Sequence, residues 1–334
     1  MVKLLRFSDT VRRFIPLVTL VLGLGLGWAI TTYVYVRQPK SVTRTETRQK
    51  GFRLTSPLLE CDVENQFASQ ELVPFRSAIE RVINDILKNK EATHISLYFR
   101  DLSNGPWIGI NEDEEFTPSS LLKVPLMMAY YKRAQEDPDT MAKEFRYEGG
   151  LLNPEESQTP VTLKEGKSYT VGDLINRMII FSDNAAAHLL YDNIDPKLFA
   201  EPYKALALEP PYDQIGNFRI PVRKYSGFFR LLYNSSFLNP EVSERALDLL
   251  TKTQFPYGLE AGVPKELSIA HKYGERSYDD GRENQLHDCG IIYYPNYPYV
   301  LCVMTKGSDI QKLARIITLL SKTVYTEVNT QRNR

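Results

Sequence analysis

A serine three residues ahead of a lysine, Ser120-Leu-Leu-Lys123, is the smallest unit of this chain that could do chemistry. On a helix, three-residue spacing puts both side chains on one face, so the amine stands within proton-transfer reach of the hydroxyl. Such an amine activates the serine as a nucleophile when part of it is neutral, a state that burial and a second nearby cation favour by lowering its pKa. Thr117-Pro118 reads as a cap with proline in the first turn, which places Ser120 at the start of a helix through Val124, Met127 and Tyr130, where the helix N-terminus favours a developing alkoxide. A Ser-x-x-Lys spacing is expected by chance roughly once in a chain of this length. Here it occurs once, and by itself it reads equally as a helix start with a solvated lysine.

Two further motifs stand downstream in a set order. Ser182-Asp183-Asn184 lies about sixty residues on, after the apolar run Met178 to Phe181, and Lys272-Tyr273-Gly274 lies about ninety residues beyond that, with strand-like neighbours. Taken singly, Ser182 or Asp183 would simply cap the next helix, and the lysine tripeptide would be an edge strand with an exposed side chain.

The order of the three motifs resembles the penicillin-recognising serine hydrolases, above all the class A β-lactamases. The resemblance covers most of the chain from Glu71 to about Tyr325, and the closing strands around Cys289-Gly290-Ile291 and Cys302-Val303-Met304 look like the paired last strands of that family. It implies Ser120 as nucleophile, Lys123 as its base, Ser182 as proton relay to the leaving group and Asn184 as a hydrogen-bond partner of the substrate amide. Lys272 would bind the substrate carboxylate, Gly274 would let substrate lie against the strand, and the backbone N–H of Glu275 would join that of Ser120 in an oxyanion hole. Tyr273 occupies a place where the family usually carries threonine or serine. A class A enzyme also needs a glutamate on the loop after the Ser-Asp-Asn motif to release the acyl group; Glu209 and Asp213 lie in a suitable loop, and Glu209 is the candidate base. If neither reaches the acyl group, the behaviour expected is that of a penicillin-binding D-alanyl-D-alanine carboxypeptidase or transpeptidase, which acylates and deacylates slowly. The substrate implied is thus a β-lactam or a D-alanyl peptide, acted on by a monomeric catalytic domain without cofactor. A catalytically inactive envelope binding module is the reading from a different class.

Periodicity supplies the elements that must position these residues. Leu72 to Leu87 carries apolar residues at three- and four-residue intervals, followed by strands over His94 to Asp101 and Trp107 to Ile110. Helical spacing then runs over Val171 to Phe181, Ala185 to Tyr191, Lys197 to Leu206, Val222 to Tyr233 and Val242 to Thr251. Three strands follow, at about Leu267 to Arg276, Gln285 to Tyr294 and Tyr299 to Lys306, and a last helix from Ile310 through Leu320. This pattern predicts an α+β fold, an antiparallel five-stranded sheet flanked by helices with an inserted all-helical subdomain, and a cleft at their seam.

The N-terminal part has a different character. A basic stretch, residues 1–13, leads into the uncharged Phe14 to Val36, which at about 1.5 Å per residue is long enough for a bilayer core of about 30 Å. It is expected to be an uncleaved transmembrane helix, since no small-x-small cleavage site follows. Residues 37–70 read as an extracytoplasmic tether and 71–330 as the catalytic domain, facing the periplasm or cell surface. Acidic and basic residues balance at 41 each and no basic stripe appears, which sets nucleic acid aside. The four histidines show no metal-ligand spacing beyond a lone His287-x-Cys289, so no metal is expected. Of Cys61, Cys289 and Cys302, at most two pair; a Cys61–Cys289 staple is preferred to a bond between adjacent strands, and three buried thiols is the alternative.

Overall fold

The computed structural model describes residues 23, 25–27, 52–56, 75–103, 105–149, 163–212, 217–278 and 283–333. The chain divides into two units, Met1–Arg44 with Glu64–Ala68 and Thr45–Val63 with Ser69–Arg334. In the first, the described residues Gly23, Gly25, Leu26 and Gly27 are helical, and the rest of the expected anchor over 14–36 lies outside the described residues. No helix among the described residues is long and apolar enough to cross a membrane.

The second unit begins its regular structure with helix α1 (Arg76–Lys88), which buries Ile79, Ile83 and Ile86 on one stripe. Strands β1 (His94–Asp101), β2 (Trp107–Ile110) and the short β3 (Glu115–Phe116) follow. The chain then enters helix α2 (Lys123–Glu136), a small hairpin of β4 (Glu144–Arg146) and β5 (Ser168–Thr170), and helices α3 (Val171–Ile180), α4 (Asn184–Asp192) and α5 (Pro196–Lys204). The two-residue β6 (Ile220–Pro221), α6 (Val222–Tyr233), α7 (Pro240–Leu250) and α8 (Gly258–Ala261) complete the inserted region. Strands β7 (Ile269–Arg276), β8 (Asn284–Ile292) and β9 (Tyr299–Gly307) and helix α9 (Ile310–Arg332) close the fold. Side-chain caps mark the helix starts where sequence signals stand: Thr170, Asp183, Asp195, Asn239 and Asp309 each accept a backbone N–H from the first turn.

The main sheet has the order β2-β1-β9-β8-β7, antiparallel throughout, so β7 is an edge. Both faces are covered. Leu97, Phe99, Leu301 and Val303 point into a core with α1 and α9, while Tyr98, Val300, Cys302 and Met304 point into a second core with the inserted helices. This two-sided burial explains why β8 and β9 are almost continuously buried. The α+β architecture with five antiparallel strands expected from periodicity is the one observed.

Three expectations change. Cys289 stands directly opposite Cys302 at a Cα separation of 4.0 Å and pairs with it in a disulfide, whereas Cys61 lies outside the described residues. A direct cross-strand pair brings the two sulfurs together without help from the tether, so the preferred Cys61–Cys289 staple is not formed. Residues 52–56, expected as part of a tether, pack on the unit that holds the sheet: the Glu244 carboxylate on α7 accepts the backbone N–H groups of Arg53, Leu54 and Thr55 at 2.6–2.8 Å, Ser56 N–H donates to the Tyr233 carbonyl, and Leu54 is buried in the core. Finally, Ser120 does not open an α-helix. It sits in a 3-10 turn, Ser119–Leu122, and α2 begins at Lys123 without a side-chain cap from Thr117.

Candidate active site

The turn that carries Ser120 is pinned from three sides. Thr117 N–H donates to the Gln285 side-chain oxygen at 3.2 Å, and the Thr117 carbonyl accepts from His287 Nε2 at 3.0 Å. His287 Nδ1 in turn accepts the Thr305 N–H at 3.2 Å, so the ring is the neutral Nε2–H tautomer, and burial lowers its pKa to about 4. Tyr225 donates to the Leu121 carbonyl at 2.8 Å from beneath. Ser119 pays for the sharp bend with a left-handed backbone, φ 52°.

Gly274 makes the third constraint. A Cβ there would stand 2.4 Å from the Pro118 carbonyl oxygen and 3.0 Å from Leu121, so the absence of a side chain lets edge strand β7 press against the turn. The glycine of the third motif therefore serves the seating of Ser120.

Lys123 is buried and its amine turns toward the second motif. Its Nζ donates to the Ser182 carbonyl at 2.5 Å, to Ser182 Oγ at 3.1 Å and to Asn184 Oδ1 at 2.7 Å. Burial lowers its pKa to about 7, against the opposing charge of Asp183. From the other side Lys272, fully buried, donates to the same Ser182 Oγ at 3.0 Å and to the Tyr273 carbonyl at 3.1 Å. Burial, and next the neighbouring Lys123, hold the Lys272 amine well below the ordinary lysine range, although the Asp288 carboxylate pulls the other way. Ser182 thus bridges two amines, which its two lone pairs allow. Its backbone is left-handed, φ 57°, at the junction of α3 and α4, and Asp183 caps α4 through the Ala186 N–H at 3.1 Å.

Tyr273 is half-buried beside this cluster. Its ring stacks on Phe255 with centroids 4.1 Å apart and planes 13° from parallel, and it lies 4.1 Å from Lys272 Nζ. Burial raises the phenol pKa, and a hydrogen bond with Ser182 opposes that rise.

A cleft of about 410 Å³ opens at the seam of sheet and helices. Ser120, Lys123, Asn184, His188, Glu275 and Arg276 are among the residues that line it, together with Leu122, Leu126, Tyr191 and Phe199. Ser182, Lys272, Tyr273 and Gly274 stand behind this surface. Glu209 is exposed after α5 and does not line the cleft, and Asp213 lies outside the described residues. Among the described residues no group of three or more His, Cys, Asp or Glu is placed to hold a metal. The three motifs therefore converge in space. What motif reading missed is the support and the rim: Gln285 and His287 on β8, and Arg276 at the end of β7. Alternation along β8 was the available signal, since Gln285 and His287 fall on one face two residues apart.

A five-stranded antiparallel sheet with an inserted helical region carries a serine on a tight turn and two lysines around a second serine, a β-lactamase-like fold. The chain belongs to the beta-lactamase enzyme family, whose model matches residues 77–328. Among solved structures, PBP-A shares 23% identity over 78% of this chain and 100% of its own, at a TM-score of 0.65. A leucine-to-glutamate variant of PBP-A, solved as its acyl-enzyme complex with penicillin G, matches at 23% identity over 78% of this chain and 100% of its own, with a TM-score of 0.66. A β-lactamase from Xanthomonas campestris matches at 21% over 75% of this chain and 97% of its own, with a TM-score of 0.64. At these identities the likeness is one of fold. No curated protein matches the chain.

Proposed function

We propose that the protein is a serine hydrolase that opens β-lactam rings, or the terminal amide of a D-alanyl peptide, through an acyl-enzyme on Ser120. The observation that carries this reading is the Lys123 amine, buried at the cleft, drawn down to a pKa of about 7 and set three residues from Ser120. At neutral pH a substantial fraction of it is unprotonated and able to act as base. In the proposed reaction Ser120 Oγ attacks the amide carbonyl and its proton passes to Lys123. The backbone N–H groups of Ser120 and Glu275 receive the oxyanion, and Asn184 holds the substrate amide. Ser182, in contact with both lysine amines, delivers a proton to the leaving nitrogen as the C–N bond breaks. Water then cleaves the ester and returns the proton to Ser120.

The second half-reaction is proposed to be slow. Glu275 is the single carboxylate among the described residues lining the cleft, and the helices α2, α4 and α5 contribute Lys123, Leu126, Asn184, Ala187, His188, Tyr191 and Phe199 to it but no acidic side chain. Fast turnover of the class A type needs a carboxylate to activate water there, and the exposed Glu209 does not supply one. Intact mass spectrometry of the protein mixed with penicillin G, the compound captured on the PBP-A variant, tests both halves. A persistent adduct absent from Ser120→Ala supports slow release; an adduct that clears as hydrolysed product accumulates establishes a β-lactamase. Adduct formation in the Ser120→Ala protein removes the nucleophile assignment, and the absence of any adduct favours a non-catalytic envelope module.

We also propose, on the apolar run Phe14 to Val36 and its basic flank, that the chain is anchored in the membrane with residues 1–13 inside, a tether following and the catalytic domain outside. Extraction of the full chain by alkaline carbonate would overturn this, whereas retention in the membrane that is lost on deleting residues 1–36 supports it.

A further inference from the structure

The five-stranded sheet has two chemically different ends. Strand register puts Arg276, Gln285, Lys306 and His94 in one row across it, at the end where the cleft opens. Ile269, Ile292, Tyr299 and Asp101 form the row at the other end, seven residues away along β7, or about 23 Å at the usual strand rise.

At that far end stands Trp107, on the edge strand β2 opposite Arg100, with 47% of its surface exposed. Its ring stacks on the buried Tyr98 with centroids 5.8 Å apart, so a large amphipathic side chain is fixed in place while facing solvent. Arg100 stands near enough to Arg230, on the last turn of α6, to lower the Arg230 pKa after the larger effect of burial. Neither guanidinium has a carboxylate or hydrogen-bond partner among the described residues. Asp101 is buried and already paired with Arg332, and Glu112 lies over Gly109, further toward the cleft end. Two like charges held together without a counter-charge repel each other, and an external anion relieves that repulsion.

The chain enters the unit at this same end. Helix α6 runs from Arg223, whose backbone N–H donates to the Glu112 carbonyl, to Tyr233, whose carbonyl accepts the Ser56 N–H one turn beyond Arg230. Between the apolar run that ends at Val36 and the first of these packed residues, Phe52, stand fifteen residues, 37–51. Fifteen residues span at most about 50 Å, so an anchored chain keeps this end of the sheet close to the bilayer.

We propose that the end of the sheet bearing Trp107, Arg100 and Arg230 docks on the bilayer surface, with the ring among the headgroups and the two guanidiniums on the phosphates of anionic phospholipids. The Ser120 cleft, at the opposite end of the strands, then faces away from the membrane. This goes beyond the Ser120 reading and rests on the proposed anchor. The headgroup level is where an amphipathic ring is most favourably placed, and each arginine near an anionic surface strengthens binding by about fivefold.

The chain has two tryptophans, Trp28 in the apolar run and Trp107, so the full chain carrying Trp28→Phe reports on Trp107 alone. It is placed in nanodiscs of phosphatidylcholine and phosphatidylglycerol, and its fluorescence is read against lipid spin-labelled at the headgroup and against iodide in the water. The spin label is expected to quench Trp107 and iodide to leave it bright. Arg100→Gln and Arg230→Gln, in proteins with unchanged thermal unfolding, should each lower the ratio of docked to free domain about fivefold, and discs of phosphatidylcholine alone should lower it further. A tryptophan moved to the cleft end, Glu115→Trp in a chain that also carries Trp28→Phe and Trp107→Phe, should behave in the reverse way. Trp107 quenched by iodide and not by the lipid label, in a chain that co-purifies with the discs, overturns the inference and leaves the anchor standing. A Trp107 shielded from both quenchers overturns it as well, because a protein or glycan rather than lipid then covers this face, as does lipid quenching that is unchanged by both arginine substitutions. A chain that does not co-purify with the discs removes the anchor itself, and this inference with it.

Discussion

Lys123 and Lys272 end on one hydroxyl, and the way they divide the available charge sets the chemistry of the site. Two buried amines near each other cannot both hold protons cheaply, and here burial is the largest influence on each. With the Lys123 pKa at about 7, the acylation rate with penicillin G should rise about tenfold from pH 6 to pH 8 and then level, following the neutral amine. Mass-resolved acylation rates across that range check this, and a rate flat with pH would remove Lys123 as the base. Stability carries the same signature. Lys123 binds its proton less tightly folded than unfolded, so its cost to the fold is fully present below about pH 7 and is relieved as pH rises toward 10.5.

At the scale of elements, the turn that carries Ser120 is held by strands rather than by a helix cap. Gln285 and His287 from β8 fix Thr117, and β7 supports the turn through the bare Cα of Gly274. Gly274→Ala would place a methyl carbon 2.4 Å from a backbone carbonyl oxygen that has little room to yield. The expected result is a loss of about 1–3 kcal/mol in urea unfolding, together with an acylation rate at least tenfold lower. Gly227→Ala on α6 is the comparison, because its new Cβ meets chiefly the flexible end of Leu206, and it should leave acylation near the parent value. Equal acylation in the two variants would separate Gly274 from the seating of Ser120. Much of this scale was legible beforehand: β1, β2 and α6 fall where alternation and helical spacing put them. The 3-10 turn was not, because Thr117-Pro118 is a good local helix start and contacts from β8, far away in sequence, decide the backbone there.

For the whole molecule, the segment ahead of α1 is part of the stability of the unit that holds the sheet. Leu54 is buried, and the Glu244 carboxylate takes three consecutive backbone N–H groups from Arg53, Leu54 and Thr55. Burying a leucine contributes about 1.5–3 kcal/mol, and the three hydrogen bonds to the charged carboxylate add to it. A protein starting at Glu71 should therefore melt several degrees below one starting at Thr45, and Glu244→Ala in the longer protein should reproduce most of the difference. Equal melting temperatures would show that the strap adds nothing. The boundary at Glu71 was drawn from the amphipathic start of the domain, and residues 52–56 gave no period to read because their contacts are backbone groups meeting one distant side chain.

By itself the sequence determined the class of fold and the identity of the motif residues. Period-2 and period-3.6 patterns are local, and rare strings such as Ser182-Asp183-Asn184 in a set order survive without any tertiary context. It could not decide which cysteines pair, because that depends on the register that sets Cys289 opposite Cys302. Nor could it decide which groups face a substrate. The family resemblance implied that Lys272 faces the substrate, while packing buries it beside Tyr273, itself stacked on Phe255, and leaves Arg276 among the residues that line the cleft. Exposure and proton affinity are properties of what surrounds a side chain in three dimensions, and only the packed structure supplies those surroundings.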